Sequence, residues 1–135
     1  MNLERLERLS AISAPSGYED PMVEVMRQEM SQVTPEIWVD RFGNTIARLP
    51  GTGAVEAKPV MVFAHMDELG FVVRKIEQDG FLRLERLGGI PERVAPSRPV
   101  MVKTTGHDLM GVIGHKAHHF TKPDEKYEVV RVADL

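Results

Sequence analysis

The sequence predicts an α/β fold in two parts: an α/β start over residues 1–70, followed by a β-rich piece over residues 71–135. Three observations lead to this. Apolar residues recur at helical spacing over the first 33 positions, a continuously apolar run ends at His65, and beyond Gly70 helical periodicity gives way to alternation.

Leu3, Leu6 and Leu9, continued by Ile12, form the stripe of a short amphipathic helix stopped by Pro15 and Gly17 in "SAPSG". Ser16 and Glu19 have the S-x-x-E spacing of a capping box, which predicts a second helix running to about residue 33. Met22, Val25, Met26, Met30 and Val33 lie along one face of it and are expected to pack in the core rather than serve as a binding face. "EIWVDRFGNTIARLP" reads as two short strands joined at Arg41 to Asn44, and "PGTGAVEA", residues 50–57, as a loop. "KPVMVFAH" has the unbroken apolar character of a strand covered on both faces. "FVVRKIEQDGFLRLERLGG" then predicts a hairpin turning at Gln78 to Gly80, with Gly88 and Gly89 permitting a turn or bulge. "RPVMVKTTGHDLMGVIGHKAHH" supplies two further strand candidates, and "YEVVRVADL" a last one.

At 135 residues the chain has the length of one ordinary domain, enough to bury about two thirds of its unfolded surface. Hydrophobic residues make up 42%, charged residues 27%, and the formal net charge is -3, which gives no electrostatic reason to expect nucleic acid or an anionic membrane as partner. With no cysteine, any metal must be held by His, Asp, Glu or water. "MNLERLERLS" has no apolar block of signal-peptide length and no stretch reaches the roughly 18 apolar residues of a membrane span, so a soluble, cytoplasmic protein is expected.

The chemistry concentrates in "VMVFAHMDELGF". Residues two apart on an extended chain share a side, so His65 and Asp67 can meet. That suits a metal-binding histidine whose second nitrogen is held by a carboxylate, and it equally suits a plain ion pair. Position beyond the end of an α/β strand favours a ligand site. Glu68 points to the opposite side of an extended chain and is expected to be structural. His115, His118 and His119, with Asp124 or Glu125 nearby, could form a surface metal site but read more simply as exposed polar residues, and His107 with Asp108 as a loop pair. Glu4, Glu7, Glu19, Asp20, Glu24 and Glu29 read as solvated helix faces and cap partners.

"FAHMDELGFVV" resembles the "HMDE-hydrophobic-G-hydrophobic" signature of metallopeptidase family forty-two, the tetrahedral (TET) and glutamyl aminopeptidases. "LSAISAPSGYED", "DRFGNTIAR", "GFLRLERLGGI" and "GVIGHKAHH" resemble further segments of that family in the same order. The resemblance implies a dinuclear zinc or cobalt aminopeptidase that trims peptide N-termini. It implies an α/β catalytic domain interrupted by a β-rich dimerisation domain, and homo-oligomers built through the latter. His65 would match the metal ligand and Asp67 the aspartate that supports it. The remaining ligands and the general base, which include an adjacent Glu-Glu pair, follow the β-rich domain in the family, and this sequence has no such pair. The resemblance therefore implies an N-terminal portion, expected to be inactive alone. The alternative is a non-catalytic β-rich module that associates through open strand edges.

Overall fold

The computed structural model describes residues 2–53 and 58–134 and, of His118, Lys126 and Asp134, the backbone only. The chain divides into two compact units, Met1–Glu68 and Leu69–Leu135.

In the first unit, helix α1 (Leu3–Ser10) begins where the Asn2 side chain accepts the Arg5 N–H at 3.1 Å, satisfying one free amide of the first turn. Helix α2 (Asp20–Ser31) packs against a short antiparallel pair, β1 (Ile37–Val39) and β2 (Thr45–Ala47). Met22, Val25, Met26 and Met30 are half-buried on α2, as a packing face requires, whereas Val33 lies beyond the helix and is exposed. The turn between β1 and β2 is built by Asp40, whose Oδ1 accepts the Phe42 and Asn44 N–H groups at 2.8 and 3.0 Å. Gly43 takes a φ of +85° there. The Thr34 hydroxyl, buried behind α2, donates to the Arg48 carbonyl at 2.8 Å and accepts the Glu36 N–H at 3.1 Å. Glu29 departs from the solvated face expected of it: it receives Arg5 at 3.1 Å and also Arg8, so one α2 carboxylate ties down both arginines of α1.

Two expectations fail in this unit. The capping box does not form, because Glu19 is itself the N-cap and its side chain turns away from the first turn of the helix, its Oε1 accepting the Gly17 N–H at 2.8 Å. The cause is a tight turn ahead of the helix, closed by the Tyr18 N–H to the Pro15 carbonyl at 2.8 Å, with Gly17 at φ +85°. That φ at the third position of the turn is the left-handed value glycine alone adopts freely. The apolar run "VMVFA" joins no ladder, and Val60 and Val62 are 89% and 92% exposed. An interior strand needs a partner on each side, and no described residue pairs with residues 60–66. Half of the loop expected over residues 50–57, residues 54–57, lies outside the described residues.

The second unit contains two antiparallel hairpins, β3 (Gly70–Ile76) with β4 (Leu82–Leu87) and β5 (Pro99–Val102) with β6 (Leu109–Val112). The first turns where the Gly80 N–H meets the Glu77 carbonyl at 3.0 Å, as the "QDG" stretch predicts. Its ladder slips between Val73 and Lys75, so the bulge lies at Arg74 and not at Gly88 or Gly89. Gly88 instead takes φ +84° with the Leu69 side chain against it, where a Cβ would approach Leu69 Cδ2 to 2.5 Å. Ala95, Ile113 and Val132 form the core of this unit, with Phe71, Leu84 and Val100 packed on them. Over the described residues of "YEVVRVADL", 127–134, no strand forms. The Glu92 carboxylate captures the Val132 N–H at 2.7 Å, and burial of Val132 draws the segment into a short turn over Val132–Asp134.

Candidate functional site

His65, Asp67 and Glu68 stand at the end of the unpaired apolar run, and the structure brings two of them together as their spacing predicts. His65 Nδ1 lies 2.9 Å from Asp67 Oδ1 and 3.1 Å from the Asp67 carbonyl oxygen. Carbonyl and carboxylate oxygens accept only, so Nδ1 carries the hydrogen and Nε2 of the neutral ring keeps its lone pair. The imidazole is 86% exposed, which leaves that lone pair open to a ligand.

A residue that the sequence reading missed completes the cluster. The Ser16 hydroxyl donates to Asp67 Oδ2, so each oxygen of the carboxylate has its own donor. Ser16 first and His65 second hold the Asp67 carboxyl below the ordinary aspartate range. Beside it Glu68 does not reach the site. Its Oε1 accepts the Ala14 N–H at 2.9 Å, and its own N–H donates to the Ala14 carbonyl at 2.9 Å. Pro15 bridges Glu68 in parallel fashion, and Ala14 is buried. Neighbouring carboxylates thus grip the "APS" segment from two sides, one through backbone and one through a hydroxyl. The only sequence signal for this was the glycine-containing turn after Ser16.

Elsewhere the sequence candidates disperse. Glu125 pairs with Lys116 at 2.6 Å, and the His119 ring lies against Phe120 with centroids 4.5 Å apart. The side chain of His118 is outside the described residues, and among the described residues no three His, Asp or Glu side chains are grouped to hold a metal ion. Asp108 pairs with Lys103 at 2.7 Å rather than with His107, whose carbonyl accepts the Thr104 hydroxyl at 2.7 Å. On donor chemistry the His65 Nε2 fits a divalent metal as a single corner, and Asp67, engaged at both oxygens, fits the role of support.

Comparison with known proteins agrees with these motifs. Residues 43–135 match the family model described as M42 glutamyl aminopeptidase. The chain is 44% identical over 133 residues to the "Putative aminopeptidase SgcX" of Escherichia coli K12, covering 98% of this chain and 35% of that protein. Among solved structures, it is similar to a TET aminopeptidase from a marine-sediment Thaumarchaeota archaeon, with a TM-score of 0.86 at 28% identity over 98% of this chain and 36% of the other. It is also similar to the Pyrococcus horikoshii TET1 peptidase, which can assemble into a tetrahedron or a large octahedral shell, with a TM-score of 0.83 at 32% identity, covering 98% and 38%. The chain therefore has an aminopeptidase-type fold and spans about a third of the length of these relatives. No helix among the described residues is long and apolar enough to cross a membrane.

Proposed function

The chain belongs to the M42 glutamyl aminopeptidase family, and on that premise we propose that it is the N-terminal portion of a cytoplasmic, metal-dependent aminopeptidase acting on peptide N-termini. In this reading residues 1–70 belong to the α/β catalytic domain and residues 71–135 to the β-rich domain through which copies associate. His65 is one ligand of a centre holding two zinc or cobalt ions, and Asp67 supports it. The observation that carries the reading is the placement of the His65 ring, with Nδ1 2.9 Å from Asp67 Oδ1 and Nε2 left free. When bound, the metal would polarise the scissile carbonyl and the attacking water. The residues of this chain contribute by holding one imidazole in a single orientation and protonation pattern.

One ligand does not make such a centre, since zinc takes about four. The 135-residue chain is therefore expected to hydrolyse no aminoacyl anilide with added Zn²⁺ or Co²⁺, while the His65 ring resonances shift as metal is added. Turnover that disappears in His65→Ala would overturn the first expectation, and unmoved His65 resonances the second.

A second reading, a non-catalytic module that pairs with another copy of itself, has support in the exposed run Val60–Phe63 and in the two-stranded sheets, whose edges offer unpaired backbone groups. Light scattering over a range of concentrations separates it, because a well-folded strict monomer would exclude self-association.

A further inference from the structure

We propose that Ser16 is a positioning residue for the candidate metal ligand: its hydroxyl fixes the Asp67 carboxylate, which in turn holds the His65 ring with Nδ1 protonated and Nε2 free. For its functional meaning the inference rests on His65 being the metal ligand.

A carboxylate with one engaged oxygen can rotate about its own axis and offer the other oxygen, or water, to the histidine. Asp67 has no such freedom, because Oδ2 takes the Ser16 hydroxyl while Oδ1 takes His65 at 2.9 Å. Ser16 is itself held on both sides. Behind it, Ala14 is fastened to Glu68 by the pair of 2.9 Å bonds between Ala14 N–H and Glu68 Oε1 and between Glu68 N–H and the Ala14 carbonyl. Ahead of it, the Pro15–Tyr18 turn closes at 2.8 Å over Gly17 at φ +85°. The turn therefore aims the hydroxyl at the residue next to the one that anchors the segment. The S-x-x-E spacing that suggests a helix cap is satisfied differently, with Glu19 bound to the Gly17 N–H, which leaves the serine for Asp67.

An exposed imidazole on a loosely held carboxylate would exchange between tautomers, and only one of them presents Nε2 as a donor atom. Partners of this kind that orient a ligating histidine change metal affinity by about 10- to 100-fold when lost.

The test uses the whole 135-residue chain, with ¹⁵N spectra of the His65 ring at about pH 8, above the ordinary imidazole range. The wild type should give a protonated-type Nδ1 and an unprotonated-type Nε2. Ser16→Ala should move both nitrogens towards averaged values and weaken the response of the His65 ring to Zn²⁺ by about tenfold. Ser16→Thr, which keeps the hydroxyl, should restore the wild-type pattern. Should Ser16→Ala lose the turn, as its backbone amide spectrum would reveal, Ser16→Cys keeps the side-chain size with a much weaker donor and gives the same comparison. An unchanged His65 tautomer in a folded Ala or Cys variant overturns the proposal. If instead Zn²⁺ leaves the wild-type His65 ring unmoved, the metal reading fails, whereas the dependence of the tautomer on Ser16 is decided by the metal-free spectra alone.

Discussion

Replacing Glu68 with alanine isolates what this carboxylate does from what its neighbour Asp67 does. Glu68→Ala removes the acceptor of the Ala14 N–H at 2.9 Å but leaves the reverse bond, from the Glu68 N–H to the Ala14 carbonyl at 2.9 Å. A hydrogen bond to a charged group is worth about 1.5–3 kcal/mol. The Glu68 side chain is exposed, so water and salt reduce that to about 1–2 kcal/mol. Because Ala14 is buried, the orphaned N–H is not freely hydrated and the loss should fall on local opening of the 14–16 segment. Amide hydrogen exchange reads this directly. With each 1.4 kcal/mol worth about a factor of ten, the Ala14 N–H should exchange about 5- to 30-fold faster in Glu68→Ala. Glu68→Gln keeps a neutral acceptor at the same place and should show about half the free-energy effect, since a charge-assisted bond is roughly twice as strong as a neutral one. Equal protection of Ala14 in all three proteins would refute the account, and so would Glu68→Gln behaving like Glu68→Ala.

Val132→Ala should destabilise the second unit by about 2–2.5 kcal/mol, from about 1.6 kcal/mol for two buried carbons and up to about 1 kcal/mol for the cavity left among Ala95 and Ile113. Urea unfolding checks this, and a change below about 0.5 kcal/mol would remove Val132 from the core. Lys75 at 2.6 Å and then Arg83 at 3.1 Å hold the Glu77 carboxyl below its ordinary value of 4.5, so the ionised form favours the folded hairpin. That contribution is complete above pH 4.5 and is lost as the pH falls through the lower folded value. Glu77→Gln should therefore lower stability at neutral pH, with the gap to the wild type closing in acid. A constant gap over the acid range would show that Glu77 acts through something other than its charge.

What was legible in the sequence was whatever is decided within a few residues. Asp40 and Asn44 around Gly43, and the "QDG" stretch before Gly80, fix their hairpins locally, and both formed where expected. The i, i+2 spacing of His65 and Asp67 likewise brought their side chains together. What failed needed information from far along the chain. The "VMVFA" run has the composition of an interior strand, yet a strand exists only with a ladder partner. "YEVV" carries β-branched residues, but Glu92, forty positions earlier, captures the Val132 N–H and bends the segment. Ser16 satisfied a helix-cap spacing on paper, and the glycine turn that follows it does not say that its partner is Asp67, 51 positions away. Glu29, placed among solvated carboxylates, proved to gather two arginines from another helix for the same reason.

The grip of Asp67 and Glu68 on the segment around Ser16 also has a kinetic side. Ser16 and Asp67 are 51 residues apart, and closing a loop of that length costs about 3.5 kcal/mol of chain entropy before any contact forms. Contacts of such long range form late, once nearer ones have shortened the search. The histidine geometry should thus be among the last features to appear as the first unit folds, and early intermediates would carry a freely turning imidazole. The order of events, chain closure and then a fixed imidazole, is written into the distance between "APS" and "HMDE".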